Sequence, residues 1–123
     1  RMTPRIVLRI EKDGEAIDKL QLTGKCFHTF GTLPSNDFKL EHKSISRSHC
    51  CIFTDSSSKV IVIDLGSSAG TFVNSVKLEQ FHPHPLSAAD VIIMGMSTRK
   101  YVVLIDRKEL EEYAEARASQ LKK

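Results

Sequence analysis

The chain has 123 residues, a length that fits one compact domain. Its hydrophobic fraction of 41% suffices for an ordinary core, and no apolar run approaches the ~20 residues of a transmembrane helix, so we expect neither a membrane protein nor a membrane partner. The net charge of +3 permits an anionic partner without requiring one. Three cysteines without a Cys-x-x-Cys spacing indicate a reducing, intracellular compartment and buried thiols.

Short apolar stretches separated by turn residues fill the chain as far as residue 105. In chain order they are RIVLRIE, AIDKLQL, CFHTFG, HCCIFTD, VIVIDLG, GTFVN, VKL, DVIIMG and RKYVVLID. Alternation of period two, β-branched runs and closely spaced turns are typical of a β-sandwich. We therefore predict an all-β protein, an antiparallel β-sandwich of about eleven short strands over residues 1–105.

The periodicity changes in the C-terminal segment DRKELEEYAEARASQLKK. Asp106 followed by Glu109 resembles a helix capping box. Five later residues fall on one helical face: Leu110, Tyr113, Ala114, Arg117 and Leu121. We predict a C-terminal helical extension over residues 106–123, which either packs beside the sandwich or docks to a partner.

The segment HKSISRSHCCIF, residues 42–53, concentrates residue types that perform covalent chemistry. Nucleophilic catalysis needs a serine or cysteine beside an oriented base, and the chain has no Gly-x-Ser-x-Gly elbow. A zinc site needs four ligands at a suitable spacing, which His49, Cys50, Cys51 and the HPHP histidines lack. We expect no enzyme, no metal and no other cofactor, and HPHP is predicted to be an exposed loop.

Two segments have the composition of a phosphate-binding site. SISRSH supplies hydroxyls and a guanidinium, and DLGSSAGTF supplies small residues that let a ligand approach the backbone. No Gly-Lys-Ser/Thr follows, so a nucleotide-binding Walker loop is not predicted. Serine and glycine between strands are also typical of plain turns, so composition alone leaves a purely structural role open.

The order and spacing of FGTLPSNDFKL, SISRSHCCIF and VIDLGSSAGTFVNSVKL resemble the forkhead-associated (FHA) domain, a β-sandwich module that binds phosphothreonine peptides. The family pattern is Gly-Arg, then Ser-Arg-x-His, then Asp-Leu-x-Ser-x-Asn-Gly-Thr-x-x-Asn, and the resemblance covers about residues 6–105. The ending GMSTRKYVVL is similar to a nuclear subgroup that includes the nuclear inhibitor of protein phosphatase 1, the Smad nuclear interacting protein and kanadaptin. Several members are linked to pre-mRNA splicing, so the resemblance implies a nuclear protein with a role in RNA processing.

The resemblance also implies a role for each matching residue. Ser46 would donate its hydroxyl to the phosphate, and Arg47 would contact the phosphate or the peptide. Ser68 stands where the family often has a phosphate-binding threonine, and His49 would brace the binding loops from inside. Five residues would hold turns and loop geometry: Gly31, Asp64, Gly70, Thr71 and Asn74.

Two positions depart from the family pattern. Thr32 replaces the arginine that binds the phosphate, and Ala69 replaces the asparagine that grips the peptide backbone. Lys43 is a candidate to replace that arginine, as a point charge without the planar fork. Two functions therefore stay open: a phosphothreonine-recognition module with a phosphorylated protein partner, and an FHA scaffold that binds its partner without phosphate.

Nucleic-acid binding is a third class of function. Lys43, Arg47, Arg99 and Lys100 could form a basic patch, but few aromatic residues interleave with them. A net charge of +3 also gives little of the electrostatic footprint that nucleic acids require. We expect a monomer whose main partner is a protein.

Overall fold

The alternation of apolar and polar residues produces eleven β-strands, as predicted. The computed structural model describes residues 4–106. The strands are β1 (Arg5–Lys12), β2 (Glu15–Leu22), β3 (Phe27–Gly31), β4 (Phe38–Lys39), β5 (Cys50–Thr54), β6 (Val60–Asp64), β7 (Thr71–Val73), β8 (Val76–Lys77), β9 (His84–Pro85), β10 (Val91–Met94) and β11 (Lys100–Asp106). The predicted C-terminal helix lies outside the described residues, except that Asp106 is the last residue of β11.

The strands form two sheets that pack as a sandwich. One has six strands in the order β2-β1-β11-β10-β7-β8, and the other has five in the order β4-β3-β5-β6-β9. This arrangement confirms the predicted all-β sandwich. The described part of the chain has no helix long and apolar enough to cross a membrane.

One strand pair departs from the antiparallel prediction. β3 and β4 pair in parallel through Phe30 with Phe38 and Gly31 with Lys39. The loop between them contains a turn in which the Asn36 N–H donates to the Leu33 carbonyl at 3.1 Å. β4 therefore leaves the loop in the direction of β3, which the spacing of apolar residues does not reveal.

The core lies between the sheets because alternate side chains of each strand point inward. In β1, Ile6, Leu8 and Ile10 are buried, and in β6 Val60 and Val62 are buried. Removal of these side chains from water drives the sheets together, at about 1.5–3 kcal/mol for each fully buried aliphatic residue.

The cysteines and the HPHP segment are the places where the sequence interpretation needs correction. Cys50 is fully buried in β5 and its neighbour Cys51 is half-buried on the opposite face, as expected. Cys26, however, is exposed, so the expectation of a buried thiol was wrong there. His84 and Pro85 form β9 against Val62 and Ile61, whereas a loop was predicted, because a two-residue edge strand tolerates proline.

Four loops at one end of the sandwich are joined by hydrogen bonds, and they position the site described below. They are the β3–β4, β4–β5, β6–β7 and β10–β11 loops. The Gly95 N–H donates to the Gly70 carbonyl at 2.8 Å, and the Met96 N–H donates to the Ser44 hydroxyl at 2.7 Å. These bonds hold the β10–β11 turn against the two loops that carry the phosphate-type motifs.

Candidate functional site

The β3–β4 loop lies directly against the β4–β5 loop, which carries the SISRSH motif. The Thr32 N–H donates to the Ser46 carbonyl at 3.1 Å, and the Leu33 N–H donates to the Arg47 carbonyl at 3.3 Å. The Asn36 side-chain amide donates to the same Arg47 carbonyl at 2.8 Å. Gly31 makes this approach possible, since a Cβ there would collide with the Arg47 carbonyl oxygen.

His49 braces the β4–β5 and β6–β7 loops from the interior. It is fully buried, and its Nδ1 accepts the Ser46 backbone N–H at 3.0 Å. Its Nε2 therefore carries the proton and donates to the Gly70 carbonyl at 2.9 Å. Burial lowers the pKa of His49, although the Gly70 hydrogen bond and the charge of Asp64 oppose this shift. The ring is thus a neutral cross-link between the two loops.

Asp64 organises the β6–β7 loop from the end of β6. It is fully buried, and its carboxylate accepts hydrogen bonds from the Ser67 and Thr71 hydroxyls, both at 2.6 Å. It also accepts the backbone N–H groups of Gly66 and Ser67, both at 3.0 Å. Burial alone would raise the pKa of Asp64, but these four hydrogen bonds outweigh it and hold the pKa below its ordinary value. The loop is therefore wrapped around an ionised carboxylate.

These supports bring two serines that are 22 residues apart in sequence to one surface depression. The hydroxyl oxygens of Ser46 and Ser68 are 3.3 Å apart, and the Ser68 N–H donates to the Ser46 hydroxyl at 3.1 Å. The depression has a volume of about 550 Å³, and its lining consists of Leu33, Ile45, Ser46, Arg47, Ser48 and Ser68. Arg47 is exposed and forms no salt bridge with residues 4–106. The site thus presents hydroxyls, a backbone amide and a free cation, a donor set suited to an anion.

The structure brings only some of the predicted binding residues to this depression. Ser46, Arg47 and Ser68 line it, whereas Thr32, Lys43 and Ala69 do not. Thr32 is half-buried and contributes its backbone N–H to the loop contact, and Lys43 is exposed outside the lining.

The predicted loop-supporting residues act at different places. Gly70 has a φ of 92°, in the left-handed region that glycine adopts without strain. Asn74 lies outside the depression: its side chain donates to Asp90 at 2.9 Å and accepts the Val91 N–H at 2.9 Å. Asn74 therefore ties the β7–β8 turn to the start of β10.

Several residues of the site were not predicted from the sequence. Leu33, Ile45 and Ser48 line the depression, and Asn36 fixes the Arg47 backbone. Ser67 links Asp64 to the loop, because its hydroxyl donates to Asp64 and accepts the Gly70 N–H at 3.0 Å. The spacing Asp64-x-x-Ser67, typical of an Asp side chain that caps a local turn, is a signal that could have identified this residue.

The geometry also bears on the chemistry of the SISRSHCC segment. The hydrogen bond between Ser46 and His49 uses the backbone N–H of Ser46, so the histidine is not placed as a base for the hydroxyl. Burial raises the pKa of Cys50 and of Cys51, which disfavours the reactive thiolate. Among residues 4–106 no group of three or more histidine, cysteine or acidic side chains could hold a metal ion.

Comparison with known proteins identifies similar sequences in two proteins with nuclear names and in kanadaptin. The human nuclear inhibitor of protein phosphatase 1 is 32% identical over 102 residues, covering 81% of this chain and 29% of its own. Mouse Smad nuclear-interacting protein 1 is 32% identical over 96 residues (62% of this chain, 25% of its own). Human kanadaptin is 28% identical over 121 residues (90% and 16%). The chain thus spans less than a third of each relative, and all three belong to the predicted subgroup.

Solved structures show the same fold, and a family profile covers the site. The FHA domain of an Arabidopsis thaliana hypothetical protein has a TM-score of 0.74 at 28% identity, covering 85% of this chain and 87% of that one. A structure from an analysis of phosphothreonine-dependent FHA domain interactions has a TM-score of 0.67 at 26% identity, covering 81% and 95%. The profile of the FHA domain matches residues 28–95, from β3 to the β10–β11 turn. The chain therefore belongs to the FHA domain family.

Proposed function

We propose that this FHA domain is a non-catalytic module that recognises a phosphothreonine-bearing segment of a partner protein. The observation that carries the proposal is the convergence of Ser46 and Ser68 beside the unpaired cation Arg47. FHA domains are phosphothreonine-binding interaction modules, and the neighbour solved in the context of phosphothreonine-dependent interactions shares this fold.

The phosphate would replace the contact between the two serine hydroxyls. Both hydroxyls can rotate to donate to phosphate oxygens, and the Ser68 N–H and the Arg47 guanidinium supply further donors. Each hydrogen bond to a charged group contributes about 1.5–3 kcal/mol. Leu33, which is 39% exposed at the edge of the depression, offers an apolar surface for the threonine methyl group.

The supporting contacts explain how these donors are preorganised. His49 fixes the backbone of Ser46, and Asp64 together with Ser67 fixes the β6–β7 loop that presents Ser68. Because these supports are buried and hydrogen-bonded, little order has to be gained on binding. Affinity is then set by how many donors reach the phosphate.

The test is binding of degenerate peptide libraries with a fixed phosphothreonine, followed by calorimetry on a selected peptide. Ser46→Ala should weaken binding about tenfold or more, since it removes a donor to a charged acceptor. Ser57→Ala is the matched control, because Ser57 is an exposed serine in the β5–β6 turn. Equal affinity for the phosphorylated and unphosphorylated forms of the peptide would refute phosphate-dependent recognition.

A phosphate-independent scaffold is the second candidate function, and the identity of Thr32 and Ala69 favours it. Thr32 stands where the family pattern has an arginine, so the site has one fewer cation than that pattern provides, and neither Thr32 nor Ala69 lines the depression. Thr32→Arg separates the two functions. In a working phosphate site the added guanidinium should raise affinity for a phosphothreonine peptide about tenfold, because it makes a charge-assisted contact. A partner bound without phosphate should be unaffected by the same substitution.

We infer that the domain acts as a monomer in the nucleus, on a protein of the RNA-processing machinery. The nuclear location is supported by the names of two relatives, the nuclear inhibitor of protein phosphatase 1 and Smad nuclear-interacting protein 1. Affinity capture from nuclear extract, with and without prior phosphatase treatment, tests the partner class. Recovery of splicing factors only from the untreated extract is the expected result, and equal recovery of the same factors from both would contradict it.

A further inference from the structure

A second polar cavity lies on the other side of the β4–β5 loop from the serine site. It has a volume of about 150 Å³ and is formed where that loop meets the end of β1 and the β10–β11 turn. Ile45 lines both this cavity and the depression that holds Ser46 and Ser68, so one side chain separates the two. A cavity of this volume has room for a carboxylate or phosphoryl group.

The lining of this cavity is rich in groups that attract an anion. Lys12 and Arg99 contribute positive charges, and neither forms a salt bridge with residues 4–106. Ser97 and Thr98 contribute hydroxyls from the β10–β11 turn. Glu41 is the one carboxylate in the lining, but its side chain is 80% exposed and paired with Lys39 at 3.3 Å. The cationic charge of the cavity is therefore not neutralised by the residues that form it.

Tyr101 contributes an aromatic ring and a hydroxyl to the wall of the cavity. The residue is 1% exposed and lines the cavity together with Arg99. Burial raises the pKa of Tyr101 despite the opposing charge of Arg99, which keeps the hydroxyl protonated. A protonated hydroxyl in the wall is a donor that an entering anion could accept.

The walls of the cavity are preformed. The Ser44 hydroxyl accepts the Met96 N–H at 2.7 Å and lies 2.8 Å from His42 Nδ1, which joins the β4–β5 loop to the β10–β11 turn. The Ser97 hydroxyl accepts the Arg99 N–H at 3.2 Å and so closes the turn. An incoming anion would thus find its donors already in place.

We propose that the cavity lined by Lys12, Arg99, Tyr101, Ser97 and Thr98 is a second anion site, which receives another acidic side chain of the same partner. The proposal rests on the proposed function for its physiological ligand, since Ile45 places the two sites side by side. A partner with a phosphothreonine and a second phosphoryl or carboxylate group would bind both sites at once. The second contact would then be intramolecular and would compensate for the arginine that Thr32 replaces.

The first experiment titrates inorganic phosphate into the isotopically labelled 123-residue protein and follows backbone amide shifts by NMR. Two separate sets of shifts are expected, one at Ser46 and Ser68 and one at residues 98–101. Arg99→Gln should abolish the second set and leave the first. Lys100→Gln is the matched control, because Lys100 is a neighbouring exposed cation that does not line the cavity. Tyr101→Phe, which removes only the hydroxyl, should weaken the second site.

The second experiment distinguishes the source of the anion. Phosphothreonine peptides carrying a second phosphothreonine, a glutamate or an alanine at successive positions are compared by calorimetry. When the second acidic group is far enough from the phosphothreonine to reach the cavity on the other side of Ile45, it should raise affinity about tenfold. Arg99→Gln should remove that gain. The phosphothreonine and glutamate arms show whether a phosphoryl group or a carboxylate is preferred.

The two proposals fail in different ways. Absence of the second set of shifts at phosphate concentrations that saturate the first, or equal effects of Arg99→Gln and Lys100→Gln, would overturn the second site and leave the serine site intact. Shifts at residues 98–101 without shifts at Ser46 and Ser68 would overturn the serine site and support the cavity.

Discussion

Replacement of His49 by alanine tests whether a buried neutral ring holds the phosphate loops in place. The variant loses the hydrogen bonds to the Ser46 N–H and the Gly70 carbonyl. Gly70 keeps a partner, because its carbonyl also accepts the Gly95 N–H, whereas Ser46 is left with an unpaired N–H. At about 0.5–1.5 kcal/mol for each bond, with a further term for the cavity left by the ring, the free energy of unfolding should fall by about 1–3 kcal/mol.

Thermal unfolding and peptide calorimetry together measure this effect. A loss of 1–3 kcal/mol corresponds to a decrease in Tm of roughly 4–12 °C for a domain of this size. Affinity for a phosphothreonine peptide, measured at a temperature where the variant is folded, should also fall because Ser46 is no longer fixed. His28→Ala is the matched control: His28 is buried and contacts the Thr23 carbonyl at 3.0 Å, outside the serine site. It should lower Tm and leave the affinity of the folded protein unchanged.

The pH dependence of His49 gives the same test a second readout. Its folded-state pKa is lowered, so the unfolded chain binds the proton more readily as the pH falls below about 6.5. The contribution of the neutral ring to stability is present above that value and is lost as the pH falls through the window below it. His49→Ala should flatten this part of the stability curve. An unchanged Tm together with an unchanged pH profile would refute the bracing role.

Three further predictions concern the supports of the site and the cysteines. Asp64→Asn should lower the free energy of unfolding by about 2–4 kcal/mol in urea titrations, because an amide cannot accept four hydrogen bonds. The pKa of Asp64 is lowered in the folded protein, so the extra stability of the wild type should be present above about pH 4. It should vanish as the pH falls through the folded-state pKa of Asp64. Gly31→Ala should destabilise the domain by about 1–3 kcal/mol, because the added methyl group collides with the Arg47 carbonyl, and wild-type stability would show that the two loops are free to separate. In thiol labelling at neutral pH, Cys26 should react quickly and Cys50 only on unfolding; fast labelling of Cys50 in the folded protein would contradict its burial.

The extent to which sequence predicted the structure differs between strands and loops. The strands β1, β5 and β6 were predictable because every second side chain is buried, and alternation of period two in the sequence is a direct consequence. β9 and the parallel β3–β4 pair were not, since two-residue strands carry no periodicity and are determined by contacts distant in sequence.

The same distinction applies to the site. Ser46, Arg47 and Ser68 stand in motif positions, so a family resemblance could assign them. Leu33 and Asn36 reach the Arg47 loop only because Gly31 lets two loops touch, a contact that no local pattern encodes. For the same reason the sequence did not show that Thr32 and Lys43 stay outside the lining.

The framework of the site and its ligand contacts are physically separate, and this separation explains how an FHA domain can lack two of the family's binding residues. The framework is buried and hydrogen-bonded: His49 donates to the Gly70 carbonyl, and Ser67 donates to Asp64. The Gly70 carbonyl also accepts the Gly95 N–H, which joins the β6–β7 loop to the β10–β11 turn. Two of the ligand donors, Arg47 and Ser68, are exposed residues outside it, where a substitution costs affinity and leaves stability nearly unchanged. Thr32 and Ala69 are half-buried and are not among the framework side chains. Binding strength can therefore be restored elsewhere on the same rigid loops, and the cavity beside Ile45, with Lys12 and Arg99 in its lining, lies where a second contact would do so.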